Sequence, residues 1–179
     1  IVGNSATTYG GGMYCRYSNL SLDNVIIKDN TSSDNGGGIY CYYSSPTLTN
    51  VTISNNLGGS GGGIWCNYSN PSLVNVNIMA NSSGSGHGGG INCYNSSSPT
   101  LTNVTISDNS SSTGYGGGIF IDQPANPTLT NVTINGNSSF LDGGGIIFWG
   151  SSPTLTNVTI SDNSTSGNGG GIYCNSSAS

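Results

Sequence analysis

The chain has 179 residues, of which 5% are charged; Arg16 and Lys28 are the whole basic set, every acidic residue is Asp, and the net charge is −5 at pH 7. Two separated cations cannot neutralise a run of phosphates, which excludes nucleic acid as a partner. No stretch approaches the roughly 20 apolar residues of a membrane-spanning helix, and Ile1-Val2-Gly3-Asn4 lacks the charged and apolar regions of a signal peptide, so either such a signal was removed or the chain is an excised segment.

Helix formers are scarce, and β-branched residues alternate with runs of Gly, Asn and Ser. Strands broken by turns are therefore expected, with no helix. Taken along the chain, glycine triplets begin at Gly10, Gly36, Gly61, Gly88, Gly116, Gly143 and Gly169, a period of 25 to 28 residues. Each unit opens with the triplet and an Ile-x-Cys segment, clearest at Gly88 to Cys93. A Ser/Asn turn leads to Pro99-Thr100-Leu101-Thr102-Asn103-Val104-Thr105-Ile106-Ser107-Asp108-Asn109, and the unit ends in a Ser/Gly loop of variable length.

Within a unit, Ile91 and Cys93 lie two apart, as do Val104 and Ile106, which is the period of a strand with one face inside. Leu101 sits three before Val104, so Thr102-Asn103 must bend the chain for both side chains to reach the interior. Each unit reads as three short strands round a triangular core. Stacking copies about 4.8 Å apart pairs every strand with its equivalents above and below. The expected fold is all-β: a right-handed parallel β-helix of about six to seven coils, one solenoid domain over residues 1–179.

Two polar columns run unbroken through the repeat. Asn24, Asn50, Asn75, Asn103, Asn131 and Asn157 share the tight corner, where Asn tolerates left-handed geometry and can bond the next coil's amide. Asn4, Asn30, Asn56, Asn81, Asn109, Asn137 and Asn163 form a second ladder three residues after the last core Ile. Insertions fall between this column and the glycines, which marks that segment as the solvent-facing loop. The chain has no cap over its first or last coil, so it is expected to be a segment of a longer solenoid or a subunit stacking end to end.

Units of the form Gly-Gly-Gly-Ile-Tyr-Cys and Ser-Pro-Thr-Leu-Thr-Asn-Val-Thr-Ile-Ser-Asp-Asn resemble the right-handed parallel β-helix repeats of bacterial surface and secreted proteins. They are similar to the repeats of chlamydial polymorphic outer membrane proteins, although the phenylalanine-containing tetrapeptide of those repeats is absent. The resemblance spans the chain and implies surface-exposed regions used for adhesion or as stalks, with no cofactor.

Cys15, Cys41, Cys66, Cys93 and Cys174 occupy one interior position that Ile121 and Phe148 fill in the other coils. A buried ladder of free thiols is favoured over disulfides, because equivalents on parallel strands lack the usual disulfide approach, and over metal ligation. Asp29, Asp108 and Asp162 share a corner column interrupted by Asn55, Ala80 and Gly136, while Asp34, Asp122 and Asp142 are scattered. His87 lies in the variable loop, where a lone histidine reads as solvated. No carboxylates gather with a base, so no catalytic residue and no metal ligand is assigned; calcium at the Asp/Asn corners is the weaker alternative.

Tyr14, Tyr40, Trp65, Phe120 and Tyr173 lie between the core Ile or Met13 and the core Cys position, so they should point outward and stack into a stripe. Tyr43, Tyr68 and Trp149 follow within two residues. This face reads as cross-strand packing, a subunit interface or a platform for sugar rings. Among the many Asn-x-Ser/Thr sequons, those in the ladders need their amides inside, which leaves Asn67, Asn95 and Asn175 as the glycosylation candidates.

The function expected is a non-catalytic structural or adhesive rod, a stalk or filament located outside the cell or on its surface. Its partners would be further copies of itself, other surface proteins or glycans. A carbohydrate-binding β-helix using the aromatic face is the alternative, and a polysaccharide lyase or hydrolase the third reading.

Overall fold

In the computed structural model residues 1–175 are described, and they wind through three parallel sheets as a β-solenoid with no helix among them. The first sheet stacks Met13–Arg16, Ile39–Tyr42, Ile64–Asn67, Ile91–Tyr94, Ile119–Ile121, Ile146–Trp149 and Ile172–Asn175 in that order. The second begins as paired short strands, Ser21–Asp23 with Ile26–Lys28 in the first coil. By the fourth coil the pair has fused into the continuous strands Thr100–Ser107, Thr128–Asn135 and Thr154–Ser161. The third sheet is made of two-residue strands, among them Thr31–Ser32, Leu57–Gly58, Ser82–Ser83 and Ser110–Ser111.

Three sheets agree with the sequence, but the arc is divided differently. The corner at Thr102-Asn103 is a bend inside the second sheet, and the third sheet arises in the segment that reads as loop. Its inward side chains are Ser83, Ser111 and Ser139, all buried. Serine leaves no apolar alternation to detect, which is why this sheet is silent in the pattern.

Register follows the repeat strictly. Ile39 pairs with Ile64 and Ile64 with Ile91, Cys41 with Cys66 and Cys66 with Cys93, Leu48 with Leu73 and Leu73 with Leu101, and Ile53 with Ile78 and Ile78 with Ile106. These columns, with Val51, Val76, Val104 and Val132, form the buried core. A one-residue slip would expose all of them at once, so burial fixes the register.

The winding is achieved by left-handed residues at fixed repeat positions. The first glycine of each triplet has φ between +59° at Gly61 and +71° at Gly143, a region glycine enters without steric cost. The second and third glycines answer a different need, close approach: a Cβ on Gly89 would lie 2.4 Å from the Ser110 carbonyl oxygen and 2.5 Å from that of Gly117. Three further columns are left-handed at non-glycine residues. They are the surface asparagines at Asn50 and Asn103 (φ +54°), the corner shared by Asp29, Asn55, Ala80 and Asp108 (φ +52° to +56°), and Tyr17, Tyr43, Tyr68 and Asn95 (φ +47° to +51°).

Candidate functional site

The side-chain columns are the features that could act, and the two asparagine ladders differ in kind. In the second ladder the amides from Asn30 to Asn137 are buried, and Asn81 shows how fully they are bonded. Asn81 Nδ2 donates to the Ile53 carbonyl at 2.9 Å and to Asn109 Oδ1 at 3.0 Å, while its Oδ1 accepts from Asn56 N at 3.0 Å and from Asn56 Nδ2 at 2.9 Å. A primary amide has two donors and two acceptor lone pairs, so no capacity remains. The first ladder lies on the surface instead, which corrects the expectation that its amides are inside. Asn75 Nδ2 donates to Asn50 Oδ1 and Asn103 Nδ2 to Asn75 Oδ1, all at exposed residues. The donors run oppositely in the two ladders: Nδ2 points to the following coil in the buried column and to the preceding coil in the surface column.

A third polar column was not legible. Ser44, Ser69 and Ser97 are buried at the turn after the first sheet, where each accepts from the preceding coil, Ser18 N to Ser44 Oγ at 3.0 Å and Ser44 N to Ser69 Oγ at 3.0 Å.

The aromatic stripe exists, but not as an open surface. Tyr40 and Trp65 are 7% exposed and Phe120 is 4% exposed, and Asn92 and Ile147 in the same column are wholly buried. These side chains point away from the solenoid core and are then roofed by neighbouring loops. Tyr9 stacks on Tyr40 at 4.7 Å, His87 stacks on Phe120 at 4.7 Å, and Tyr94 lies between Trp65 (6.3 Å) and Phe120 (5.4 Å). Burial pushes the Tyr40 phenol up to about 12, with Tyr14 and Tyr9 adding to the effect. Trp149 is half-buried with Tyr115 edge-on at 5.4 Å, and Tyr173 is half-buried.

Rings that do reach solvent include those of Tyr9, Tyr14 and Phe140 and those of the left-handed column, Tyr17, Tyr43 and Tyr68. Tyr17 and Tyr43 are 5.4 Å apart with planes 18° from parallel, and Tyr43 and Tyr68 are 4.6 Å apart with planes 14° from parallel. Each face of Tyr43 is therefore covered by another ring, and edges and hydroxyls are what it offers to water. A sugar stacks on an open ring face, which Tyr43 does not have. Left-handed backbone at a non-glycine residue costs about 1–3 kcal/mol, and stacking at about 0.5–1.5 kcal/mol per pair offsets part of it.

The thiols of Cys15, Cys41, Cys66 and Cys93 are buried and free, and Cys174 is free and exposed. The hydrogen bond with Cys41, and then burial, push the Cys15 thiol well up. At Cys41 the bond from Cys15 favours the thiolate, but the bond with Cys66 and burial outweigh it and hold the group well above the ordinary thiol range. A raised folded value stabilises the fold below the value at which an unfolded thiol ionises, about 9, and that contribution is lost as pH rises further. Iodoacetamide at neutral pH is expected to modify Cys174 alone, counted by mass spectrometry, and all five cysteines once the chain is denatured. Modification of Cys66 in the folded chain would contradict this arrangement.

His87 is only partly solvated, less open than its reading as a loop histidine implies. It is half-buried, and its Nδ1 accepts from Tyr115 N at 3.2 Å. Burial lowers its pKa, with Asp122 opposing. Asp29 and Asp108 sit three coils apart in their column, and Asp108 and Asp162 two. Among the sequon residues, Asn95 Nδ2 donates to Asn67 Oδ1 at 2.8 Å; Asn175, in the last strand of the first sheet, is half-buried.

Stacked parallel coils with interior Ile, Leu, Val and Cys columns and polar ladders define a β-solenoid. The family described as "Right handed beta helix region" matches residues 23–179, and the chain belongs to it. No curated protein and no solved structure gave a match to the chain.

Proposed function

We propose that the chain is a non-catalytic rod, an extracellular or cell-surface stalk, fibre or adhesin segment whose partners are further copies of itself or other surface proteins. The β-helix fold serves enzymes and non-enzymes alike, so the side chains carry the reading. The observation that weighs most is that the polar and aromatic columns spend their bonding capacity on the neighbouring coils: all four amide positions of Asn81, and both faces of Tyr43. Such columns resist bending and shear, which is what a spacer requires. The likeness to bacterial surface repeats supports the extracellular placement, and glycans at Asn67, Asn95 or Asn175 would suit it.

The test pairs electron microscopy at near-physiological salt with assays of sugar release from a panel of polysaccharides, for the wild type and Asp108→Asn. Straight rods with no release by either protein are expected. Release by the wild type that Asp108→Asn abolishes would replace the rod with an enzyme.

A further inference from the structure

We propose that the exposed tyrosine column of the first three coils is a site of oxidative cross-linking, at which a one-electron oxidant of the peroxidase class joins Tyr43 to Tyr68 through a carbon–carbon bond. Such a site is independent of the rod reading. Backbone strain is the first sign of it. Tyr17, Tyr43 and Tyr68 hold φ of +51°, +47° and +50° at one repeat position, which the fourth coil fills with Asn95 at +50° and the sixth with Gly150 at +59°. Asparagine and glycine enter this region readily, whereas a bulky residue there is strained. Winding is satisfied by asparagine or glycine, so strain kept in three successive coils points to a use for the ring itself.

The rings are placed for coupling. Tyr43 and Tyr68 have centroids 4.6 Å apart and planes 14° from parallel, and the two residues are 43% and 46% exposed. Two directly bonded phenol rings have their centres at nearly this separation. A turn of each ring about its Cβ–Cγ bond therefore brings the carbons ortho to oxygen together with the backbone unmoved, and exposed side chains make such turns within nanoseconds. Neighbouring pairs are less suited. Tyr40 stacks with Tyr14 at 5.0 Å and with Trp65 at 4.6 Å, but it is 7% exposed, so its ring is not free to turn. Tyr17 is farther from Tyr43, at 5.4 Å, and the Arg16 guanidinium lies 5.2 Å from its centroid. A cation held by the electrons of a ring opposes removal of one of them.

The step balances with hydrogen peroxide as the terminal oxidant. Each phenol gives up one electron and its hydroxyl proton, and the two radicals join through their ortho carbons. The hydrogen on each of those carbons then moves to the ring oxygen, restoring two phenols. Peroxide takes up the two electrons and two protons and leaves as two molecules of water, while the chain loses two hydrogens. Stacking supplies the proximity that such a coupling requires. The bond ties one coil to the next as a disulfide would, in a chain whose five cysteines are all free.

The experiment treats the full chain, at low micromolar concentration, with a haem peroxidase and hydrogen peroxide. Dityrosine fluorescence is expected to appear, together with an intact mass of one chain less two hydrogens and a proteolytic fragment pair joining Tyr43 to Tyr68. Tyr43→Phe keeps the stacked ring and removes the phenol, so its circular dichroism should match the wild type while the single-chain fluorescence is lost. Tyr14→Phe should leave that fluorescence unchanged. Absence of dityrosine, dityrosine found only between two chains, a link mapped to any other pair of tyrosines, or a single-chain product that survives Tyr43→Phe would each overturn the proposal.

Discussion

Replacing Asn81 by leucine, a residue of similar size, is expected to destabilise the chain by about 4 kcal/mol or more in a denaturant titration. The substitution removes no apolar contact and opens no large cavity, so the whole effect is polar. Asn56 loses the acceptor of both its backbone N–H and its side-chain amide, and the Ile53 carbonyl and Asn109 Oδ1 each lose a donor. A buried group left unsatisfied costs about 1–3 kcal/mol, and several are created together at fully buried sites. Total stabilities of domains are about 5–15 kcal/mol, so the variant sits near the threshold of folding. The surface ladder provides the contrast. Asn103→Gly keeps the left-handed backbone, φ +54°, and loses only solvent-accessible amide bonds, so a change under about 1 kcal/mol is expected. Equal losses at the two sites would show that the ladders are not distinguished by burial.

Alanine at Gly89 is the second large expected effect, about 3 kcal/mol or outright failure to fold. The added Cβ would meet the Ser110 and Gly117 carbonyl oxygens at 2.4 and 2.5 Å and the Ser110 carbonyl carbon at 2.6 Å. All three are backbone atoms held by coil-to-coil hydrogen bonds, so none can swing aside as a side-chain end would. Overpacking in a well-ordered interior costs about 1–3 kcal/mol, and here the strain falls on the contact that joins consecutive coils. In a solenoid that contact carries the cooperativity. Thermal unfolding followed by circular dichroism should therefore broaden, the variant melting in parts rather than as one unit. Gly84→Ala, with nothing nearer than 3.8 Å, should melt as the wild type does.

Much of this architecture is legible in the sequence because each coil repeats its apolar spacing. Ile91, Cys93, Leu101, Val104 and Ile106 declare the interior, and all are buried as the pattern requires. The unbroken runs of asparagine declare the ladders for the same reason. What stayed hidden depends on packing between coils. Tyr40, Trp65 and Phe120 alternate outward, and nothing in a period-two pattern reveals that Tyr9, His87 and Tyr115 fold over them. The corner column of Asp29, Asn55, Ala80 and Asp108 can be read from the repeat, but its left-handed backbone cannot, since different residue types share it.

The opposed directions of the two asparagine ladders bear on the electrostatics of extension. Each column of amides is a head-to-tail row of dipoles, and a single row would accumulate partial charge at the ends of the rod as coils were added, much as a helix does. With Nδ2 facing onward in the buried row and backward in the surface row, the two sums oppose one another. The polarity contributed by these side chains therefore stays small however many coils are stacked, in keeping with the small net dipoles of sheets. Lengthening such a solenoid by further repeats adds bonds without adding a growing field at its tips.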